Sequence, residues 1–221
     1  MLFYDMNNKE VNFSIEKGRY LESGNFGDAI VFNDIVLKLF TGYHTEEEKN
    51  NILNILQKLS KLDFNNIYKI LNFYFGKDGK FKGYSSKYYQ NNPNIDILTM
   101  PKDYFLDNYH LLVEDFYKLH QHDIKPMDVG YRNVIINSEK IIVVDADFYL
   151  NERYHVDSAI TDLHGLFAEI CSEAAFNFHN KEFDNNWDIY YLMWTLLESK
   201  QLFEELKTHK YLIDCVRKRV K

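Results

Sequence analysis

The chain has 221 residues, of which 46% are hydrophobic and 16% are aromatic. That apolar content is sufficient for a buried core and too high for a disordered chain. The net charge of −7 provides no general attraction to nucleic acid or to anionic membranes. The sequence shows no signal-peptide pattern and no apolar run of membrane-spanning length, and two cysteines are too few for a disulfide framework. We therefore expect a cytoplasmic globular protein with no nucleic-acid partner and no membrane span.

The first part of the chain alternates short apolar runs with turn residues, which predicts a β-rich region with a single helix. The helix is expected near 45–61, where apolar residues recur at helical spacing. Strands are expected near 11–15, 19–23, 28–32, 35–40, 67–75 and 81–87.

A glycine pair separates the second and third of these strands, in the run Gly24-Asn25-Phe26-Gly27. Glycines allow a backbone to approach phosphate groups closely, although such short runs are also common in hairpin turns. Lys38 follows within the apolar strand Ile35-Val-Leu-Lys-Leu-Phe40. Because lysine is almost never fully buried unless it is paired, the strand predicts an acidic partner for Lys38.

Glu48 is the candidate partner on the next helix. It lies four and seven residues before Ile52 and Ile55 and so shares their inward-facing stripe. Thr45 and Glu48 also have the spacing of a capping box, in which the glutamate binds the Thr45 backbone. Both roles remain open for Glu48, and Glu47 is the reserve partner for Lys38.

The second part of the chain contains helical patterns and one predicted hairpin. Asp128 and Asn133 are followed by the apolar run 134–136, a polar turn and the apolar run 141–144, and then by Asp145. A hairpin of this length brings its two ends together. Asp123 offers a second register for the acidic residue, but it would leave the hairpin too long. Helices are expected near 102–120, 159–178, 184–199 and 201–220.

The glycine loop, the strand lysine and the residues Asp128, Asn133 and Asp145, in this order, resemble the protein-kinase-like superfamily. The layout is most similar to small eukaryotic-like serine/threonine kinases and to RIO and lipopolysaccharide kinases. The resemblance implies an α+β, two-lobed protein-kinase-like fold. Its small β-rich N-lobe with one helix would span 1–89, and its mostly helical C-lobe would span 90–221, together forming one kinase-like domain.

The same resemblance implies a role for each candidate residue. Asp128 would orient the acceptor hydroxyl, with Lys38 and Arg132 as further catalytic residues. The Mg²⁺ ligands would be Asn133 and Asp145. Asp147 follows in the run Asp-Ala-Asp, which replaces the usual D-F-G. It is implied as a third metal ligand that shares the ion with Asp145, and the two acids could also exchange roles. Residues implied in ATP binding are Gly24, Asn25, Phe26, Gly27, Lys38, Glu48 and the hinge tyrosines Tyr88 and Tyr89.

The sequence thus predicts an ATP- and Mg²⁺-dependent phosphotransferase that moves the γ-phosphoryl group to a hydroxyl. A protein Ser, Thr or Tyr hydroxyl is the preferred acceptor. The alternatives are a small-molecule or sugar kinase and a nucleotide-binding pseudokinase that acts as a binding module.

Overall fold

A computed structural model of the chain describes residues 1–24, 27–40, 44–91 and 102–154, together with Leu163 and Leu166. The chain divides into two compact units. The first unit comprises Met1–Phe64, Tyr68–Gln90 and Asp145–Tyr149. The second comprises Asn65–Ile67, Asn91–Val144 and Leu150–Lys221.

The first unit is built on a curled antiparallel sheet of seven strands. The strands are β1 Leu2–Tyr4, β2 Glu10–Asn12, β3 Arg19–Gly24, β4 Gly27–Phe32, β5 Ile35–Leu39, β6 Ile70–Phe75 and β7 Phe81–Lys87. Across the sheet they follow the order β2-β1-β6-β7-β5-β4-β3. The two strands at the N-terminus therefore pair with each other and extend the sheet from β6, while β3, β4 and β5 form a meander at the other end.

The side chains of β5 alternate between the two faces of this sheet. Leu37 and Leu39 are buried on one face in an apolar cluster with Phe3 and Tyr74. Because successive side chains of a strand point in opposite directions, Lys38 projects from the other face. Its directly opposed partner on β7 is Tyr84. The pairing places the lysine beside a phenol on the same face.

Helix α1 spans Glu46–Leu59 and contacts β7 and the short 3-10 helix Ala146–Phe148. It starts at an N-cap threonine, Thr45, and its buried residues include Ile52, Ile55 and Leu56. These positions form one stripe at helical spacing, which is the pattern that the sequence predicts.

The second unit contains helix α2, Lys102–Gln121, and two short antiparallel pairs. Strand β8, Ile124–Lys125, pairs with β11, Leu150–Asn151. Strand β9, Val134–Ile136, pairs with β10, Ile141–Val143. The β9–β10 hairpin confirms the predicted one. In its turn, Oδ1 of Asn137 accepts hydrogen bonds from the backbone N–H groups of residues 139 and 140.

A buried polar network ties α2 to the hairpin of this unit. Asp115 on α2 accepts hydrogen bonds from the backbone N–H groups of Asn65, at 2.9 Å, and Asn66, at 2.6 Å. The Asn66 amide donates to Asn108 on α2 at 2.6 Å and to the carbonyl of Ile141 at 2.8 Å. Asn108 also accepts from the Ile141 N–H group at 2.9 Å. Helix, loop and strand are thus held together by side chains that form hydrogen bonds with buried backbone groups.

The expected fold class is wrong. The described residues form a mostly β structure with a seven-stranded half-barrel and only two α-helices, which is not the kinase-like arrangement with a helical C-lobe. The local periodicities indicated most strands and both helices, but they do not specify how strands pair. Strand β1 was not predicted from the sequence, and its pairing with β6 joins residues that are distant in sequence. The helices predicted near 159–178, 184–199 and 201–220 lie outside the described residues, apart from the buried Leu163 and Leu166.

In the part of the chain that the structure describes, neither helix combines the length and the apolar character that crossing a membrane requires.

Candidate functional site

The first unit contains a charged cluster centred on Lys38. The lysine ammonium donates to Oδ1 of Asp145 at 2.5 Å and forms a second ion pair with Oδ2 of Asp147. Strand β5 thereby contacts a segment more than a hundred residues further along the chain. Lys38, Asp145 and Asp147 are three of the residues that the sequence pattern selects, and the structure brings them together.

The two carboxylates differ in their access to solvent. The Asp147 side chain is 3% exposed, whereas that of Asp145 is 31% exposed, and Lys38 lies between them at 17%. Both oxygens of Asp147 are engaged, since Oδ1 accepts from the Tyr84 hydroxyl at 2.8 Å. Asp145 uses only Oδ1 in a described hydrogen bond. The cluster therefore has a closed inner acid and a more open outer one.

Two buried phenols support the inner acid. The Tyr84 hydroxyl has one hydrogen, which it donates to Asp147, so in its 3.1 Å contact with Tyr68 it must accept. Tyr68 in turn accepts from the backbone N–H group of Ala146 at 3.3 Å. The donors run in one direction, from Ala146 through Tyr68 and Tyr84 to Asp147. This relay fixes the 3-10 segment that carries the acids onto the sheet.

The charge states follow from burial and from the ion pairs. Burial opposes the charge of Lys38, but the carboxylates of Asp147 and Asp145 outweigh it, so the pKa of Lys38 lies above its ordinary value. Burial raises the pKa of Asp147 to about 6, against the lowering effect of Lys38. Burial, followed by the charge of Asp147, holds the pKa values of Tyr68 and Tyr84 well above the ordinary range. Both phenols therefore remain hydrogen-bond donors at neutral pH.

The backbone of Asp145 adopts the left-handed conformation, with φ 64° and ψ 68°. This conformation costs a non-glycine residue on the order of 1–2 kcal/mol, and strained residues of this kind cluster at functional sites. Although Asp145 stands at the N-cap of the 3-10 helix Ala146–Phe148, its side chain makes no cap hydrogen bond. Its carboxylate is held by the lysine rather than by the backbone.

The second unit contains Asp128, Arg132 and Asn133. The Nδ2 group of Asn133 donates to the carbonyl of Asp128 at 2.8 Å and to its Oδ2 at 3.0 Å. Asp128 is exposed and, like Asp145, has a positive φ, here 55°. Arg132 is exposed beside this pair in the 3-10 helix Tyr131–Asn133. The structure thus brings Asp128 and Asn133 into direct contact and presents the aspartate to solvent.

The acid of α1 is not engaged with Lys38. Oε2 of Glu48 accepts from the backbone N–H group of Thr45 at 2.7 Å, and Oγ1 of Thr45 accepts from the Glu48 N–H group at 3.2 Å. This is the capping box, the second of the two roles left open for Glu48. Among the described residues, the ion pairs of Lys38 are those with Asp145 and Asp147.

The glycine-loop residues are only partly described. Gly24 and Gly27 are paired at the ends of β3 and β4, whereas Asn25 and Phe26 lie outside the described residues. A Cβ atom at Gly27 would overlap the backbone carbonyl of Leu39 on β5. Close packing against the neighbouring strand is therefore sufficient to require glycine at position 27.

The two predicted hinge tyrosines contact other residues at the end of β7. The Tyr88 hydroxyl accepts from Arg19 at 2.8 Å, and the Tyr88 N–H group donates to the carbonyl of Asp34. The Lys87 ammonium lies 5.4 Å from the centre of the Tyr89 ring. Both rings are therefore held by residues that the sequence analysis did not predict as part of the site.

The chemistry of the donors allows a test of fit for Mg²⁺. This ion takes oxygen ligands and is usually held by one or two carboxylates together with waters and substrate phosphates. Asp145 fits because it is partly exposed and its Oδ2 has no described partner. Asn133 fits through Oδ1, since its two side-chain hydrogen bonds use Nδ2. Asp147 fits poorly because both of its oxygens are engaged and it is buried. Within the described residues, no group of three or more His, Cys, Asp or Glu side chains forms a metal cage.

Sequence reasoning missed the two phenols. Tyr84 and Tyr68 belong to a chain with 17 tyrosines, and no local signal distinguishes these two. The role of Tyr84 follows from the register of β7 against β5, and that of Tyr68 from its contacts with Tyr84 and Ala146, none of which the sequence reveals.

No protein-family model matches the chain, and no curated protein matches it. The function is therefore inferred from the side chains themselves.

Proposed function

We propose that the protein is an ATP- and Mg²⁺-dependent phosphotransferase that moves the γ-phosphoryl group to a hydroxyl. The observation that carries this proposal is the 2.5 Å hydrogen bond from Lys38 to Asp145, which joins residues far apart in sequence. A lysine for phosphate oxygens and a partly exposed carboxylate for a cation are two of the groups that phosphoryl transfer requires. The proposal rests on this side-chain chemistry and not on a kinase-like fold.

The proposed roles follow from the surroundings of each group. Lys38 neutralises phosphate charge, and Asp145 offers an oxygen to the metal. Bound Mg²⁺ would neutralise charge that develops on the transferred phosphoryl group. Asp128 orients the acceptor hydroxyl and takes its proton, in keeping with its exposure, and Asn133 fixes the direction of the Asp128 carboxylate by the 3.0 Å hydrogen bond.

The acceptor is proposed to be a protein Ser, Thr or Tyr hydroxyl, with a sugar or another small molecule as the alternative. A cytoplasmic location accompanies the proposal, because ATP is available there and the composition indicates no disulfide framework.

A second candidate function is a nucleotide-binding module that transfers nothing. The observation that favours it is the state of Lys38, whose positive charge is already matched by the carboxylates of Asp145 and Asp147. A lysine held in this way can stabilise a fold without catalysis.

The deciding experiment compares two aspartates that the sequence offers as alternative bases. Asp123 and Asp128 both have a positive φ, at 54° and 55°, and lie only five positions apart. Asp128→Asn should lower transfer from labelled ATP by about a thousandfold, which is the middle of the range for a lost general base. Asp123→Asn is the matched control and should retain full transfer, since its described partner is the exposed Arg153.

The transfer reaction is run in a lysate of the source organism, and labelled protein is separated from labelled small molecules by size. Mg·ATP should raise the melting temperature of the wild type and of both variants. Stabilisation without transfer would favour the binding module. Loss of transfer in Asp123→Asn but not in Asp128→Asn would show that the register is wrong, and absence of both stabilisation and transfer would refute the nucleotide site.

A further inference from the structure

The partner of Lys38 does not come from helix α1. Glu48 is 57% exposed, and its carboxylate is committed to the N-cap of α1 by the 2.7 Å hydrogen bond from the Thr45 N–H group. The acids that reach Lys38 both belong to Asp145–Tyr149, the short segment of the first unit that follows the hairpin in sequence.

The two acids of this segment are held in different ways. Asp147 is fixed from two sides, by Lys38 and by the relay of Tyr84 and Tyr68. Asp145 has the lysine as its described side-chain partner and is ten times more exposed than Asp147. A carboxylate fixed from two sides, like that of Asp147, suits a permanent partner for Lys38. A carboxylate with a single described partner, like that of Asp145, suits an exchange of that partner for another.

We propose that Asp147 is the positioning residue that holds Lys38, and that Asp145 is the acid that releases the lysine when nucleotide binds. The assignment rests on the proposed function and refines it, since it removes Asp147 from the metal ligands and Glu48 from the partners of Lys38. A lysine ammonium has three N–H donors. With one directed to Asp147, the release of Asp145 leaves two for phosphate oxygens.

The register of the sheet explains why an acid at position 147 can take this part. Lys38 and Tyr84 are directly opposed on β5 and β7 and share one face. An acid that contacts both is therefore held at a fixed place above the strand pair. The Ala146 N–H group, which donates to Tyr68, fixes the adjoining backbone. Asp147, which holds the lysine, and Asp145, the more exposed acid, are thus two residues apart on one short segment. A displacement of that segment would therefore move both carboxylates.

The test measures how fast the Lys38 amine reacts with a chemical reagent, which can be measured whether or not the protein transfers phosphate. Folded protein without nucleotide is given a short pulse of acetic anhydride at one pH, and the Lys38 peptide is quantified by mass spectrometry. The protonated amine has no lone pair and does not react with the anhydride, and the carboxylate of Asp147 favours that protonated form. Asp147→Asn should therefore raise acetylation of Lys38 about tenfold.

Three further variants complete the design. Glu48→Gln is the matched control and should leave the acetylation of Lys38 at the wild-type level. Asp145→Asn should raise it less than Asp147→Asn does. Tyr84→Phe removes one support of Asp147 without changing any charge and should give a smaller rise in the same direction, so it provides the test if Asp147→Asn does not fold.

Acetylation that rises in Glu48→Gln but not in Asp147→Asn or Tyr84→Phe would overturn the assignment. Equal acetylation in the wild type, Asp147→Asn and Tyr84→Phe would also overturn it. If the expected pattern is found while Mg·ATP fails to stabilise the wild type, the positioning of Lys38 by Asp147 stands and the proposed phosphotransferase function fails. The two claims are therefore separable.

Discussion

Among the residues that the structure describes, each compact unit buries one aspartate in a polar network, Asp147 in the first unit and Asp115 in the second. Asp115 is satisfied mainly by backbone N–H groups, which the fold itself holds in place. Asp147 is satisfied by the side chains of Lys38 and Tyr84. Asp115 also pairs with Lys118 on its own helix, at 3.4 Å, but the backbone N–H groups hold its carboxylate in place. Asp147 instead shares its lysine with the partly exposed Asp145, so the lysine can exchange one acid for another partner.

The largest loss of stability is expected for Asp115→Ala. The change leaves the N–H groups of Asn65 and Asn66 without their acceptor, and each buried unsatisfied donor costs about 1–3 kcal/mol. We expect the free energy of unfolding to fall by about 4 kcal/mol, as measured by urea denaturation. Asp107→Ala, at an exposed position on the same helix, is the control and should have little effect. A loss below about 1 kcal/mol for Asp115→Ala would show that this network is not structural.

The second prediction concerns replacement of the Lys38–Asp147 pair. Lys38→Met leaves a buried carboxylate without its cation and should lower the free energy of unfolding by about 3 kcal/mol. The double variant Lys38→Met with Asp147→Leu should be more stable than Lys38→Met, because apolar residues often replace a buried ion pair without loss. It should stay below the wild type by about 1–2 kcal/mol, because the buried Tyr84 hydroxyl loses its acceptor. Urea denaturation of both variants measures the coupling between the two positions.

Nucleotide binding by the same variants shows whether the Lys38–Asp147 pair is needed for function rather than for stability. The double variant should show no stabilisation by Mg·ATP although it is folded. If the double variant is as unstable as Lys38→Met, the charged pair is needed for folding, and the contrast with Asp115 is lost.

The sequence predicts several of the elements that carry the two networks, but it does not predict the contacts between them. A short apolar run predicted strand β5, with Lys38 as its one charged residue, and two apolar runs joined by a polar turn predicted the β9–β10 hairpin. Such runs are local patterns of the sequence. The pairing of Lys38 with Tyr84 depends on strand register across distant segments, and no local period encodes it.

The fold was mispredicted for the same physical reason. A sequence order of chemical groups resembles that of kinases, yet the order of groups along a chain does not determine the order of strands in a sheet. Strands β1 and β2 show this clearly, since they are short, carry few buried residues and still extend the sheet from β6. The sequence could not decide between the two roles of Glu48. Its position has the spacing of a capping box relative to Thr45, and the same position lies on the apolar stripe of α1.

A third prediction concerns the strained backbone at Asp145. Asp145→Gly relieves a left-handed conformation that costs on the order of 1–2 kcal/mol, while the added freedom of the unfolded chain and the lost ion pair oppose that gain. We expect a net change in stability below about 1 kcal/mol, together with complete loss of Mg²⁺-dependent transfer. Asp123→Gly, at a similar φ of 54°, is the control and should retain transfer. Destabilisation of Asp145→Gly as large as that of Asp115→Ala would make Asp145 a structural residue.

The smallest effect is expected at Glu48, the acid that stands outside both networks. The hydrogen bonds from the Thr45 backbone and hydroxyl lower the pKa of Glu48 below its ordinary value of 4.5. A carboxylate whose pKa is lowered on folding contributes stability above its unfolded pKa and loses it as the pH falls through the folded pKa. Glu48→Gln keeps a capping oxygen and removes the charge. Its melting temperature should therefore lie slightly below that of the wild type at neutral pH, and the two should converge in acid. A difference that is unchanged in acid would mean that the charge of Glu48 does not stabilise the helix N-terminus, and a much larger difference at neutral pH would connect Glu48 to Lys38 after all.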